Sequence, residues 1–130
     1  MIRHWIALRH AHAEAQSADG NDFSRELSER GREEARRAAD ALAAMLDGRV
    51  PRIVASPAAR AEATAQIVAD RLGDTVGYNA RIYDATPGAL LDVFNATGPT
   101  ETVLLVGHNP GIEELVALLV DGRSQAHRGM

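Results

Sequence analysis

The stretch Thr102-Val103-Leu104-Leu105-Val106-Gly107-His108-Asn109-Pro110-Gly111 begins with apolar and β-branched residues and passes directly into a turn. An uninterrupted apolar run fits a strand buried on both faces, which a sheet covered by helices on both sides provides. Ile112, Leu115, Val116, Leu118 and Leu119 then recur at helical spacing. The whole stretch therefore reads as strand, turn and helix.

The same unit recurs on working back toward the N-terminus. Residues 52–56, Arg52-Ile53-Val54-Ala55-Ser56, form a strand, and Ser56-Pro57 places a capping hydroxyl before a proline at the first helical position. The helix that follows, through Ala63, Ile67, Val68 and Leu72, stops at Gly73. Residues 2–8, with Trp5, Ile6 and Leu8, form a first strand. It leads into a polar loop that continues through the turn formers Ser17, Asp19, Gly20, Asn21 and Asp22. Ser28 caps a long helix carrying Ala35, Ala38, Leu42, Met45 and Leu46, which ends at Asp47-Gly48. Residues 78–83 give a weaker strand, and Thr86-Pro87 starts a helix with Leu90, Leu91 and Phe94, broken at Thr97-Gly98-Pro99. The order βαβαβαβα predicts an α/β fold, a three-layer α/β/α sandwich on a mostly parallel sheet, in one domain over residues 1–130.

Composition narrows the function classes. At 130 residues and 45% hydrophobic content the chain can bury a core without staples, and with no Cys it has no thiol nucleophile or Cys-based metal site. A net charge of -4 argues against nucleic acid as the main ligand, although all 14 basic residues are Arg. No run approaches the ~20 apolar residues of a membrane span, and the N-terminus lacks a signal-peptide pattern, so a cytoplasmic protein without membrane association is expected.

In parallel α/β sheets, ligands gather at the carboxyl ends of the strands. The residues just past those ends are Arg9 and His10, Ser56 and Arg60, Asp84, and His108 and Asn109. Two guanidiniums suit a tetrahedral dianion, since each planar fork holds two oxygens. Their charge lowers the pKa of neighbouring imidazoles, and a neutral imidazole can attack phosphorus and carry the phosphoryl group. His10-x-His12 lacks a third metal ligand and lies beside arginines that repel a cation, so no metal is expected. Ser56 reads first as a helix cap and second as a phosphate contact, while Asp84 also fits a turn residue before Thr86-Pro87. Arg30, Arg32, Arg36 and Arg37, interleaved with Glu29, Glu33 and Glu34, read as a solvated helix face.

Leu8-Arg9-His10-Ala11-His12-Ala13-Glu14 resembles the Arg-His-Gly signature of the histidine phosphatase superfamily, which contains the cofactor-dependent phosphoglycerate mutases. The segment from Ser56-Pro57 through Arg60 to Ala65 resembles its second block, and Val106-Gly107-His108-Asn109-Pro110-Gly111 its third. Ala11 in place of Gly, the small size and the wording from His108 to Leu115 are most similar to the SixA subgroup of phosphohistidine phosphatases.

The resemblance implies a phosphoglycerate mutase-like fold, with His10 phosphorylated during turnover, Arg9 and Arg60 binding the phosphoryl group and His108 donating a hydrogen bond to it. It implies no cofactor and a phosphorylated protein carrying phosphohistidine as the substrate. Asp84 stands where larger members carry the acid that protonates the leaving oxygen. Asn109 excludes the subgroup that has an Asp directly after the second histidine. Relatives usually continue past the last helix, so the domain is expected to be short at its C-terminus. That leaves a sheet edge open to pairing and a monomer or weak dimer. Two alternatives stand beside this reading: a small-metabolite phosphomonoesterase using Asp84 as acid, and a phosphate-binding module without turnover.

Overall fold

The computed structural model describes residues 4–97 and 102–119. Its elements are β1 (His4–Arg9), α1 (Glu29–Leu46), β2 (Arg52–Ala55), α2 (Ala59–Leu72), β3 (Val76–Tyr78), α3 (Pro87–Asn95), β4 (Thr102–Gly107) and α4 (Gly111–Leu119). The strands lie in the order β1-β4-β2-β3, and every pairing is parallel. All six residues of β4 are buried, as its unbroken apolar run requires of a strand with neighbours on both edges and helices on both faces.

Alternation along β4 divides the core in two. Leu104 and Val106 face α1 and α2 together with Ala39, Leu42, Ala61, Ala65 and Val68. Val103 and Leu105 face α3 and α4, among Leu90, Val93, Phe94, Ile112 and Leu115. This is the expected three-layer sandwich. Each fully buried Leu, Ile or Val contributes roughly 1.5–3 kcal/mol, so the central strand anchors both layers. Edge strand β1 is only half-buried, and Trp5 gains cover by stacking on Phe94 at 4.9 Å between ring centroids.

Local signals explain most element ends. The Ser28 hydroxyl accepts from Gly31 N–H, and Asp47 closes α1 in the left-handed conformation. Gly73 does the same for α2, and Thr86 caps α3 with Pro87 in its first turn. Several sequence readings need correction. The weak strand lies at Val76–Tyr78 rather than 78–83, where Ala80–Ile82 instead form a short 3-10 turn capped by Asn79. Tyr83 and Asp84 therefore sit beyond a turn and not on a strand end. Helix α2 starts at Ala59, so Pro57 precedes the helix by two residues and is not in its first turn. On α1 the core face uses Ala39, not Ala38, and Met45 points to solvent at 53% exposure. The expected start of the first strand at Ile2, the break at Gly98-Pro99 and the short C-terminus fall on residues outside the described ones.

Candidate active site

The parallel ladder continues past the strands and fixes the backbone of the site. His10 N–H donates to the Gly107 carbonyl at 2.9 Å, and Ser56 N–H to the Val106 carbonyl at 3.0 Å. His10, Ser56 and His108 are thus brought together at the carboxyl ends of three adjacent strands. The His10 and His108 rings stand 5.1 Å apart between centroids.

His10 Nδ1 lies 2.7 Å from the Ala11 carbonyl, an acceptor only, so Nδ1 carries the proton and Nε2 keeps its lone pair. Arg60 Nε–H points at that Nε2 from 3.3 Å. Burial chiefly, with the charges of Arg60 and Arg9, lowers the His10 pKa below its ordinary value, although the Ala11 hydrogen bond opposes this. The ring is a neutral imidazole at pH 7 whose unprotonated nitrogen faces a guanidinium. Thr64, one turn after Arg60 on α2, holds the next residue in place: its hydroxyl accepts from Ala11 N–H at 3.1 Å and donates to the Arg60 carbonyl at 2.8 Å.

Arg60 is buried and largely committed within the protein. Its Nη1 donates to the Asp22 carbonyl at 2.7 Å and its Nη2 to Asp22 Oδ2 at 3.0 Å. Tyr83 O–H donates to the same Oδ2 at 2.6 Å, and Arg25 Nε to Oδ1 at 2.9 Å. The Tyr83 bond first, then the arginines, hold the Asp22 carboxyl well below the usual carboxylate range, while the Tyr83 hydroxyl is pushed up and stays protonated. The Tyr83 ring also packs edge-on against His108 at 5.4 Å and Phe23 at 5.1 Å, with the Arg60 guanidinium 5.9 Å from its centroid. Gly111 makes this approach possible: a Cβ there would collide with the Ala85 carbonyl, and so push the 83–85 segment off the start of α4.

His108 is buried, and burial with the Arg60 charge lowers its pKa to about 4. The remaining expected residues divide. Arg9 is exposed at the end of β1, and its side chain makes no hydrogen bond or ion pair with the described residues. Ser56, expected as a cap or a phosphate contact, is wholly buried. Its hydroxyl lies 2.8 Å from His108 Nε2 and accepts from Ala58 N–H at 3.2 Å, which leaves it no exposed surface for substrate. Asp84 is exposed in the left-handed backbone region, φ 55°, and likewise forms no hydrogen bond with the described residues. Asn109 Oδ1 accepts from Glu113 N–H, a capping role for α4. His12 Nδ1 turns to Ser28 at 2.7 Å, away from a pairing with His10, and the described residues contain no metal-binding cluster.

Sequence reasoning missed Asp22, Arg25, Thr64 and Tyr83. The Arg60 to Thr64 spacing puts both on one helix face and could have flagged Thr64. Asp22 reads as one turn former among five, and only the folding of the long loop brings it to Arg60 on α2 and to Tyr83.

Comparisons with known proteins bear on the family and the fold. The family model of the histidine phosphatase superfamily (branch 1) matches residues 5–92. No curated protein matches the chain. Among solved structures, one from Agrobacterium tumefaciens, provisionally described as the phosphohistidine phosphatase SixA, is 33% identical with a TM-score of 0.83, covering 92% of this chain and 77% of its own. A protein histidine phosphatase SixA complexed with tungstate is 28% identical with a TM-score of 0.73, covering 87% of this chain and 74% of its own. A Plasmodium falciparum phosphoglycerate mutase, 14% identical with a TM-score of 0.68, covers 98% of this chain and 77% of its own and shares the fold alone.

Proposed function

Since the chain belongs to the histidine phosphatase superfamily, we propose that it is a phosphohistidine phosphatase, cleaving phosphoramidate P–N bonds on a protein substrate through a phosphorylated His10. The observation that carries the reading is the His10 geometry: Nδ1–H bound to the Ala11 carbonyl, leaving Nε2 unprotonated, with its lone pair turned to Arg60 Nε–H at 3.3 Å. In the first step the Nε2 lone pair attacks phosphorus in line, and the P–N bond breaks with its electrons going to the leaving imidazole. Arg60, Arg9 and His108 stabilise charge on the phosphoryl oxygens. Water then attacks the phosphorus on His10, releasing inorganic phosphate and restoring the neutral ring.

Preference for P–N over P–O bonds is supported by the surroundings of Asp84. Its exposed carboxylate has no hydrogen bond among the described residues that would aim it at a leaving group. An N-phosphorylated imidazole protonated at its other nitrogen leaves as neutral imidazole and needs no acid from the protein, whereas an alkoxide does. Beside Asp22, a polar cleft of about 520 Å³ between Gln16, Ser17, Asn21 and Arg25 offers room for the chain that bears the phosphorylated side chain. The similarity to the SixA structures points the same way. No helix among the described residues is long and apolar enough to cross a membrane, consistent with a substrate met in solution, and a cytoplasmic location belongs to the same proposal.

The test is a substrate panel of a phosphohistidine peptide, phosphoramidate and several sugar phosphates. Turnover of the first two well above the esters is expected. Ester hydrolysis with phosphoramidates untouched identifies the metabolite phosphomonoesterase instead, and binding without any turnover identifies the non-catalytic module.

A further inference from the structure

We propose that Ser56 is a positioning residue that holds His108 in the tautomer protonated on Nδ1, leaving that buried N–H as the ring's unspent donor, to be met by a phosphoryl oxygen only once a ligand parts the His10 and Tyr83 rings packed against it. The identity of the acceptor rests on the phosphatase reading above, but the tautomer does not.

The assignment follows from counting donors and acceptors around two buried groups. Ser56 is 0% exposed, so its hydroxyl proton needs an acceptor within the protein. Its oxygen already accepts from Ala58 N–H at 3.2 Å. The acceptor in reach among the described residues is His108 Nε2, at 2.8 Å. If Ser56 donates, Nε2 supplies its lone pair, and the proton of the neutral ring resides on Nδ1. That Nδ1 is buried and has no partner among the described residues. In the reverse arrangement Nε2–H donates to the serine oxygen. The hydroxyl proton is then stranded as well, and two buried groups go unsatisfied rather than one. The first arrangement wins, and its one unmet donor sits on a ring packed against His10 at 5.1 Å and Tyr83 at 5.4 Å.

Sheet register makes the pair rigid. Ala55 pairs with Val106 across β2 and β4, so the residues that follow, Ser56 and the Gly107-His108 dipeptide, leave adjacent strands side by side. The His108 carbonyl is itself tied to Ile112 N–H at 3.0 Å, which fixes the ring's origin at the start of α4. Burial keeps the ring neutral near pH 7, so its tautomer, rather than its charge, decides which nitrogen donates. A serine that looked like a helix cap thus acts through the second histidine.

Long-range 1H–15N spectra of the protein labelled with 15N-histidine, at pH 7 and without ligand, test the assignment, with His108→Asn used to identify the signals. His108 is expected to show a protonated Nδ1 and an unprotonated Nε2. Ser56→Ala is expected to lose that preference and to bind orthovanadate about tenfold more weakly, the loss of one modest hydrogen bond. Ser56→Thr, which keeps a hydroxyl, is expected to restore both. A protonated Nε2 in the wild-type protein, or an unchanged tautomer in Ser56→Ala, overturns the proposal. A protein that shows the expected tautomer but binds no vanadate and forms no phosphoenzyme overturns the phosphatase reading instead.

Discussion

Asp22 holds Arg60 at two points: the guanidinium donates through Nη1 to the Asp22 carbonyl at 2.7 Å and through Nη2 to the carboxylate at 3.0 Å. The third side of the same fork, Nε, faces Nε2 of His10, the proposed nucleophile, at 3.3 Å. Asp22 therefore aims the arginine that lies closest to the reacting nitrogen. Three N–H groups are taken by these contacts, and the two left over on the terminal nitrogens remain for an oxyanion.

Removing that support is expected to weaken catalysis without unfolding the protein. Asp22→Ala should lower kcat/KM for phosphoramidate about ten- to a hundredfold, the range spanned by one hydrogen bond to a charged group. Asp22→Asn, which keeps an accepting oxygen for Arg60 and Tyr83, should lose less. Because the Arg60 side chain is only 6% exposed, losing its carboxylate partner should also lower the thermal midpoint, less so in Asp22→Asn. Tighter phosphate binding in Asp22→Ala would mean that the carboxylate competes with substrate rather than orienting Arg60.

The pH dependence has a definite sign. His10 must be neutral to attack, and burial with the Arg60 charge puts its pKa below 6.5. The acid limb of kcat/KM should therefore lie below 6.5, and a limb at or above it contradicts the geometry. Stability follows the same direction. Between pH 6.5 and about 4 the unfolded chain takes up a proton that folded His108 refuses. This contribution is complete above 6.5 and is lost as pH falls, so urea midpoints should decrease from pH 7 to pH 5, less so in His108→Asn.

Gly31 governs how the site loop meets α1. A Cβ at this position would collide with the His12 carbonyl oxygen, which also accepts from Ser28 N–H at 3.1 Å. Gly31→Ala should cost about 1–3 kcal/mol and lower Tm by several degrees. Since His12 lies two residues past the nucleophile, KM should rise as well. A fully stable and active variant, read by thermal melt and steady-state kinetics, would show that the loop is not held against the helix.

Asp84→Ala should leave phosphohistidine hydrolysis within about twofold of wild type, as its carboxylate has no bond to any described site residue and a protonated leaving imidazole needs no acid. A drop of a hundredfold or more would restore Asp84 as the general acid.

The sandwich was readable because each element carried its own local signal: an apolar run for β4, Ser28 and Thr86 as caps, and Asp47 and Gly73 as stops. The weak strand was misplaced because Tyr78, Ile82 and Tyr83 have strand-like composition, while the Asn79 side chain accepts from Arg81 N–H and turns the chain there. His10 and His108 could be placed at one edge of the sheet because a strand end fixes where the next residue lies, whereas Arg60 reaches His10 from α2 and Arg9 makes no bond to them among the described residues. Asp22 and Tyr83 could not be placed. Their partners are 38 and 61 residues away across a loop whose path is set by tertiary contacts such as Gly31 against His12. Ser56 was found but given the wrong neighbour, since only the β2·β4 register shows that His108 emerges beside it.

The most direct test of the account is intact-mass analysis after rapid quench with a phosphoramidate donor, wild type against His10→Ala. A covalent phosphoryl adduct, stable in base and lost in acid, should appear on the wild-type protein and be absent from the variant. Turnover by wild type with no adduct at any quench time, or an adduct that persists in His10→Ala, would contradict His10 as the nucleophile.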